Sequence, residues 1–340
     1  QFVMAIVRAS LFPLLALIIG VGLFKGNIAS QVGALYKEND LRRAMAFQIF
    51  YIAINVSVIV APLISGTLGE KVGWHYGFGC AGIVMVLGVL IFLAGKKHLP
   101  DIEAGDEINP RKTVAALALG SILCLLVIGV VFAIGLTVTF LALIPLYFYL
   151  TKGLSREEKV RVLALVVLIP MLAVALLTNQ QIFNAYLVWG DQQFDLTLLN
   201  NTTSWLITVD ATLSFTMLVA VAAFYKWYGL NHREPDELGK MIIGSLFTIG
   251  AGLCLYLGAL TQGDGKIGLF WPVMFHLVNS IGFAHILPVS LALFSKLAPQ
   301  KINATVIGLY YLAFFLANKI VGTVGGWYST MDTPTFWLLH

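Results

Sequence analysis

Three charged side chains stand where an apolar segment tolerates few: Lys25, Asp210 and Lys319. A charge at mid-membrane costs about 3 kcal/mol on insertion scales, so such residues face a polar cavity or a partner. The chemistry open to them there is gain and loss of a proton as burial and neighbours change. Lys25 lies about a dozen residues from its helix end, too far for a stem of roughly 6 Å to reach an interface. Asn179, Asp210 and Lys319 each lie about 16 to 18 residues from a basic flank, which at about 1.5 Å per residue is about 25 Å. Equal depth allows Asp210 to meet Lys319 if their helices pack, either as a structural ion pair or as a coupling element. A buried pair of this kind is not in itself stabilising, since desolvation can exceed attraction. The mid-span polar set is completed by Asn55, Tyr51, Gln180, Tyr310 and His285. His285 reads first as a hydrogen-bonded packing residue and second as a proton relay. His276 is on the same helix, about 900° of rotation away, so the two rings face opposite sides and make no His-x-x-x-His metal site.

These residues need long apolar helices to carry them. The chain has 340 residues, 59% hydrophobic and 11% charged, with a mean hydropathy of +0.88. Soluble domains carry roughly 25% charge, so this is an all-α polytopic membrane protein. Apolar runs bounded by Gly, Pro and charge give spans near 11–35, 44–69, 76–95, 112–132, 135–151, 160–189, 204–227, 238–260, 268–297 and 303–328. Barrel strands would be about ten residues long and alternating; these runs are longer and uniform. Basic residues gather in alternate loops: Lys37, Arg42, Arg43; Lys96, Lys97, Arg111, Lys112; Lys152, Arg156, Lys159, Arg161; Lys226, Arg233, Lys240; Lys296, Lys301. That side is cytoplasmic. The opposite loop 190–203 holds Asp191 and Asp195 with no basic residue. Tyr186, Trp189, Trp205, Trp227, Tyr228, Trp271 and Trp327 fall near span ends and read as an interfacial belt.

A series of motifs resembles the proton-dependent oligopeptide transporters (the POT or PTR family) of the major facilitator superfamily. It runs Leu23-Phe24-Lys25-Gly26-Asn27, Tyr36-x-x-x-Asp40-x-Arg42-Arg43, Phe50-Tyr51-x-x-Ile54-Asn55, Ala61-Pro62-Leu63-Ile64 and Gly73-Trp74-His75-Tyr76-Gly77-Phe78-Gly79. Leu297-Ala298-Pro299 and Ala317-Asn318 before Gly322 continue it more loosely. The resemblance implies a major facilitator-type bundle divided as 1–95 (helices four to six), 96–111 (cytoplasmic linker), 112–152 (two inserted helices) and 153–340 (helices seven to eleven and the start of twelve). It implies proton-coupled import of di- or tripeptides by alternating access in a bacterial inner membrane. Lys25 is then a proton-coupling lysine and Asn55 a peptide-site residue. The chain opens at Gln1 and ends as Thr335–Leu339 begins another helix, so it reads as a piece of a longer protein, without the family's first three helices.

The chain departs from the family pattern in its second half. Asn179-Gln180 stand where a seventh-helix Glu-Gln pair is usual, and Phe283 falls at the tenth-helix glutamate. Asp210 falls at an eighth-helix asparagine, Tyr310 at an eleventh-helix tryptophan, and Lys319 at an apolar position. Asp210 is therefore the candidate substitute carboxylate, with Lys25 and Lys319 completing the coupling set. Asn55, Tyr51, Asn179, Gln180, Tyr310 and His285 are the candidate substrate contacts.

Other classes fit less well. Basic residues are scattered between spans, which argues against nucleic acid. No Walker loop or G-x-G-x-x-G is present, which argues against an ATP-driven pump. A selectivity-filter sequence is absent, and no catalytic groups converge at motif spacing. Cys80, Cys124 and Cys254 lack metal-ligand spacing. The expected partners are small peptides and membrane lipid, with no cofactor beyond protons. A carrier of a non-peptide solute (an amino acid, nitrate or a drug) and a non-transporting membrane fragment remain alternatives.

Overall fold

The computed structural model describes residues 20, 53–98, 144, 147–148, 151–262, 265–299 and 302–340. Most of the expected span 11–35, all of 112–132, most of 135–151, the linker residues 99–111 and the residues Lys25 and Tyr51 lie outside them. The chain forms two compact units, 1–133 and 134–340.

In the first unit, α1 (Ala53–Lys71) and α2 (Trp74–Gly95) are long and apolar enough to cross a membrane. Pro62 cannot supply the amide that closes a regular turn. The chain widens there into a π-turn, Pro62–Gly66. Gly73 turns the corner at φ 145°, which a Cβ would forbid. Trp74 then lies on Gly69, and Gly77 lies against the Ser65 carbonyl. The Gly-Trp-His-Tyr-Gly motif is thus a close-packed corner.

In the second unit, α3 (Arg156–Ala175) and α4 (Leu177–Gln193) form an apolar pair that reaches spanning length together and is bent by 46° at a short break. The sequence predicts one continuous span over 160–189; the structure breaks it at Leu176, just ahead of the polar run Thr178-Asn179-Gln180-Gln181. A second irregularity follows, the π-turn Ile182–Tyr186, where Asn184 has φ −133° and ψ −110°. Then come α5 (Ser204–Tyr228), α6 (Glu237–Leu260), α7 (Phe270–Leu297), α8 (Asn303–Tyr310), α9 (Leu312–Gly325) and α10 (Thr333–Leu338). Among the described residues six helices or helix pairs reach spanning length, or seven with the broken pair.

Capping residues start three of these helices. Ser155 caps α3 with a reciprocal box: its amide donates to Glu158 Oε2 at 2.8 Å and its hydroxyl accepts from the Glu158 amide at 3.3 Å. Ser155→Ala removes that acceptor and is expected to cost about 1 kcal/mol of stability, readable as a lower unfolding midpoint in detergent; an unchanged midpoint would contradict it. Asp236 caps α6 and Asp332 caps α10. In the loop after α4, Asp195 accepts from the Thr197 hydroxyl and amide. The Thr197 hydroxyl chiefly holds the Asp195 carboxyl below the usual carboxylate range, and the Thr335 amide does so for Asp332. Both turns are therefore at full strength near neutral pH and are lost only on acidification.

α6 shows how the bundle is sorted. Ile242, Leu246, Ile249 and Leu253 are exposed on one face. Gly244, Thr248, Ala251 and Leu255 are buried on the other, against α7. Two apolar clusters fill the interior. One joins α3, α7, α8 and α9 toward the basic-loop side, around Ile169, Phe294 and Leu316. The other joins α4, α5, α6, α7 and α10 on the opposite side, around Trp189, Phe275 and Phe336. Tyr186 and Trp189 are fully buried in this second cluster. They are not belt residues, because Phe194, Phe275 and Trp337 close over them. Trp227 and Trp327 are exposed, as a belt requires.

Candidate functional site

Asp210 and His276 occupy the same position in two helices. Each is the seventh residue of its helix, Ser204–Tyr228 and Phe270–Leu297. These helices pack side by side, and both run from the acidic-loop side toward the basic one. Equal height on parallel neighbours brings the side chains together. Asp210 Oδ1 lies 2.9 Å from His276 Nδ1. On the far edge of the imidazole, Nε2 lies 2.8 Å from the Tyr186 hydroxyl of α4.

The partners assign the hydrogens. With Asp210 ionised and His276 neutral, Nδ1–H donates to the carboxylate and Nε2 accepts from the Tyr186 hydroxyl. The result is a continuous line of hydrogen bonds across α5, α7 and α4. His276 and Tyr186 are wholly buried, while the Asp210 side chain keeps 12% of its surface open. Phe194 and Phe275 pack on the Tyr186 ring. One turn further along, Ser214 and Ser280 hydroxyls meet at 3.1 Å and repeat the α5–α7 contact.

Asp210 thus has a different partner from the one expected. The ion pairs among the described residues include Asp210–His276 and not Asp210–Lys319. Depth counting permitted Lys319; lateral packing selects His276. Lys319 is half-buried on α9, where its carbonyl accepts from the Thr323 hydroxyl at 3.0 Å.

The candidate substrate residues fall in different settings. Asn179 and Gln180 sit just past the break, with the Gln180 amide donating to Asn179 Oδ1 at 3.3 Å. Gln181, beside them, is fully buried and donates to His340 Nε2, since His340 Nδ1 is committed to the Phe336 carbonyl. Tyr310 is 2% exposed and packed in the first apolar cluster, with its hydroxyl 3.1 Å from Ser290 Oγ. His285 donates from Nδ1 to the Ile281 carbonyl at 2.8 Å and stacks on Phe247. Both have packing environments. Asn55 is half-buried on α1 of the first unit. Among the described residues no group of three His, Cys, Asp or Glu side chains is placed to hold a metal.

Sequence reasoning passed over His276 and Tyr186. The available signal was the matched height of Asp210 and His276 in parallel spans. Tyr186 gave none, because its place near a span end resembles that of an interfacial tyrosine.

A model of the POT family matches residues 4–335. The chain belongs to the POT family. This POT-family chain is 29% identical to a peptide transporter of Yersinia enterocolitica over 347 residues, covering 92% of this chain and 67% of that protein. It is 27% identical to an uncharacterised transporter of Bacillus subtilis, covering 94% of this chain and 68% of that one. It therefore spans about two thirds of the length of these relatives. A crystal structure of a peptide transporter POT in complex with sulfate superposes with a TM-score of 0.82 at 24% identity, covering 99% of this chain and 73% of the other. The fold is therefore the major facilitator-type helical bundle, and the POT-family chain is an integral membrane protein of a transporter class.

Proposed function

We propose that the protein is a proton-coupled secondary transporter that imports di- or tripeptides, or similar small zwitterions, across a bacterial inner membrane. The carrying observation is Asp210, a carboxylate held between apolar helices by a histidine, with 12% of its side-chain surface still accessible. Such a group binds and releases a proton as its surroundings change. Alternating access supplies that change, as two bundles rock about a central site. Membership of the POT family supports the same reading.

Asp210 is the proton acceptor of this half, and Lys25 and Lys319 complete the coupling set. Asn55, Tyr51, Asn179, Gln180, Tyr310 and His285 are the substrate contacts. The break between α3 and α4 favours Asn179 and Gln180, because transporters build their sites from interrupted helices. Protons are the coupling ion, and the reading needs no metal, organic cofactor or enzymatic step. A non-peptide solute is the second reading; it is favoured by Asn179-Gln180, which leaves this stretch without a carboxylate.

The test is uptake of labelled di- and tripeptides by proteoliposomes holding the full-length natural protein, under an imposed inward proton gradient. Accumulation is expected to vanish with a protonophore and to fall more than about tenfold in Lys25→Ala, a loss of about 1.4 kcal/mol or more of coupling. Folded protein that takes up no peptide would overturn the substrate assignment, and amino acids, nitrate and drugs would be screened next.

A further inference from the structure

We infer that His276 and Tyr186 carry the protonation state of Asp210 to the irregular middle of α4, so that proton binding on α5 resets a joint in a different helix. This rests on the reading of Asp210 as the proton acceptor and adds the element that responds.

The bonding pattern supplies the link. With Asp210 ionised, Nδ1–H···Oδ1 is a charge-assisted bond, about twice as strong as a neutral one. It fixes the imidazole, and the imidazole in turn fixes the Tyr186 hydroxyl. A proton taken by the carboxylate adds one O–H bond and breaks no other. It removes the negative charge, and the Asp210–His276 bond becomes a neutral one. Phe194 and Phe275 pack around Tyr186 and shield the His276–Tyr186 bond from water, so the difference is screened only at the accessible part of Asp210.

The far end of the line is built to respond. Tyr186 is the last residue of the π-turn Ile182–Tyr186, and Asn184 within that turn is not helical. π-turns recur at functional sites, and this one is irregular at its centre. Asn184 Nδ2 donates to the Val321 carbonyl of α9 at 3.1 Å, pressed against Gly325, where a Cβ would collide with it. The middle of α4 is thus gripped on one side by α7 through Tyr186 and on the other by α9 through Asn184. Weakening the first grip shifts the balance of the two.

Few other titratable groups face this line. Asp210 and Tyr186 are those of α5 and α4, and His276 is that of α7. α6 brings Cys254 and Tyr256 to the same cluster, and Tyr328 joins it from beyond α9. α9 carries Lys319, and His340 lies beyond α10 with Gln181. Asp210 is the only carboxylate in this set of described residues.

The experiment measures spin-label distances between Val160→Cys on α3 and Val188→Cys on α4, both exposed, in otherwise cysteine-free full-length protein in liposomes. The distance distribution is expected to shift on acidification, and the shift is expected to disappear in Asp210→Asn and in Tyr186→Phe. Tyr186→Phe keeps the ring against Phe194 and Phe275, so it is expected to fold. In parallel, the ratio of gradient-driven peptide uptake to peptide counterflow is expected to fall about tenfold in Tyr186→Phe and in His276→Gln. A mere packing defect would lower both rates together. A distance that ignores pH in the wild type, or a pH shift that survives Tyr186→Phe, would overturn the inference. A wild type whose distance responds to pH but which neither takes up nor exchanges any peptide would sink the peptide reading and leave this inference standing.

Discussion

Asp210→Asn is expected to separate exchange from accumulation. Asparagine has nearly the same shape, and its Oδ1 still accepts from His276 Nδ1–H, so the α5–α7 contact seen at 2.9 Å survives. What it lacks is a site for the proton. Peptide counterflow needs only the loaded carrier to reorient, and it is expected to fall modestly. Accumulation driven by a proton gradient needs the carboxylate to load and unload, and it is expected to fall more than about tenfold relative to counterflow, equivalent to at least about 1.4 kcal/mol of lost coupling. Asp210→Glu is expected to recover part of the ratio, because it restores a titratable group. Equal losses of both rates in Asp210→Asn would mean that Asp210 only holds the helices together.

Closing the gap between α6 and α7 is expected to have the largest effect on stability. A Cβ at Gly282 would stand 2.8 Å from both the Gly244 carbonyl oxygen and Thr248 Oγ1, and one at Gly244 would stand 2.7 Å from Ile286 Cγ1. Backbone meets backbone there, as small residues allow in membrane bundles. Gly282→Val forces these two helices apart, and with them the seating of His276 and His285 on α7. The cost is expected at about 1–3 kcal/mol, seen as a lower thermal midpoint in detergent. Gly322→Ala on α9, where nothing lies within 4 Å of the added atom, is the control and is expected to hold or slightly raise the midpoint. Similar midpoints for the two variants would show that the contact is not tight.

The helical layout was legible because membranes impose length and charge rules on sequence. The run 204–227 became Ser204–Tyr228, and 238–260 became Glu237–Leu260. Basic ends of α6 and α7 even meet acids in the structure, as Lys240–Glu234 and Lys296–Glu237. Two features escaped. The break at Leu176 lay inside what read as one apolar run, because hydropathy averages over the polar turn Thr178–Gln181 that carries it. The partner of Asp210 escaped because residue counting fixes height along a helix and not its neighbour. His276 and Lys319 both satisfied height; only the packing of α5 on α7 chose between them. Tyr186 was misplaced for a related reason. Its burial comes from Phe194 and Phe275, and the latter is far away in sequence.

The most direct test of the account is proton movement evoked by substrate. Full-length protein is placed in liposomes loaded with a pH-sensitive dye, without any imposed gradient, and an unlabelled dipeptide is added outside. Internal acidification that follows peptide entry, and that is lost in Asp210→Asn, is the predicted result. Peptide entry with no change in internal pH would contradict a proton-coupled carrier.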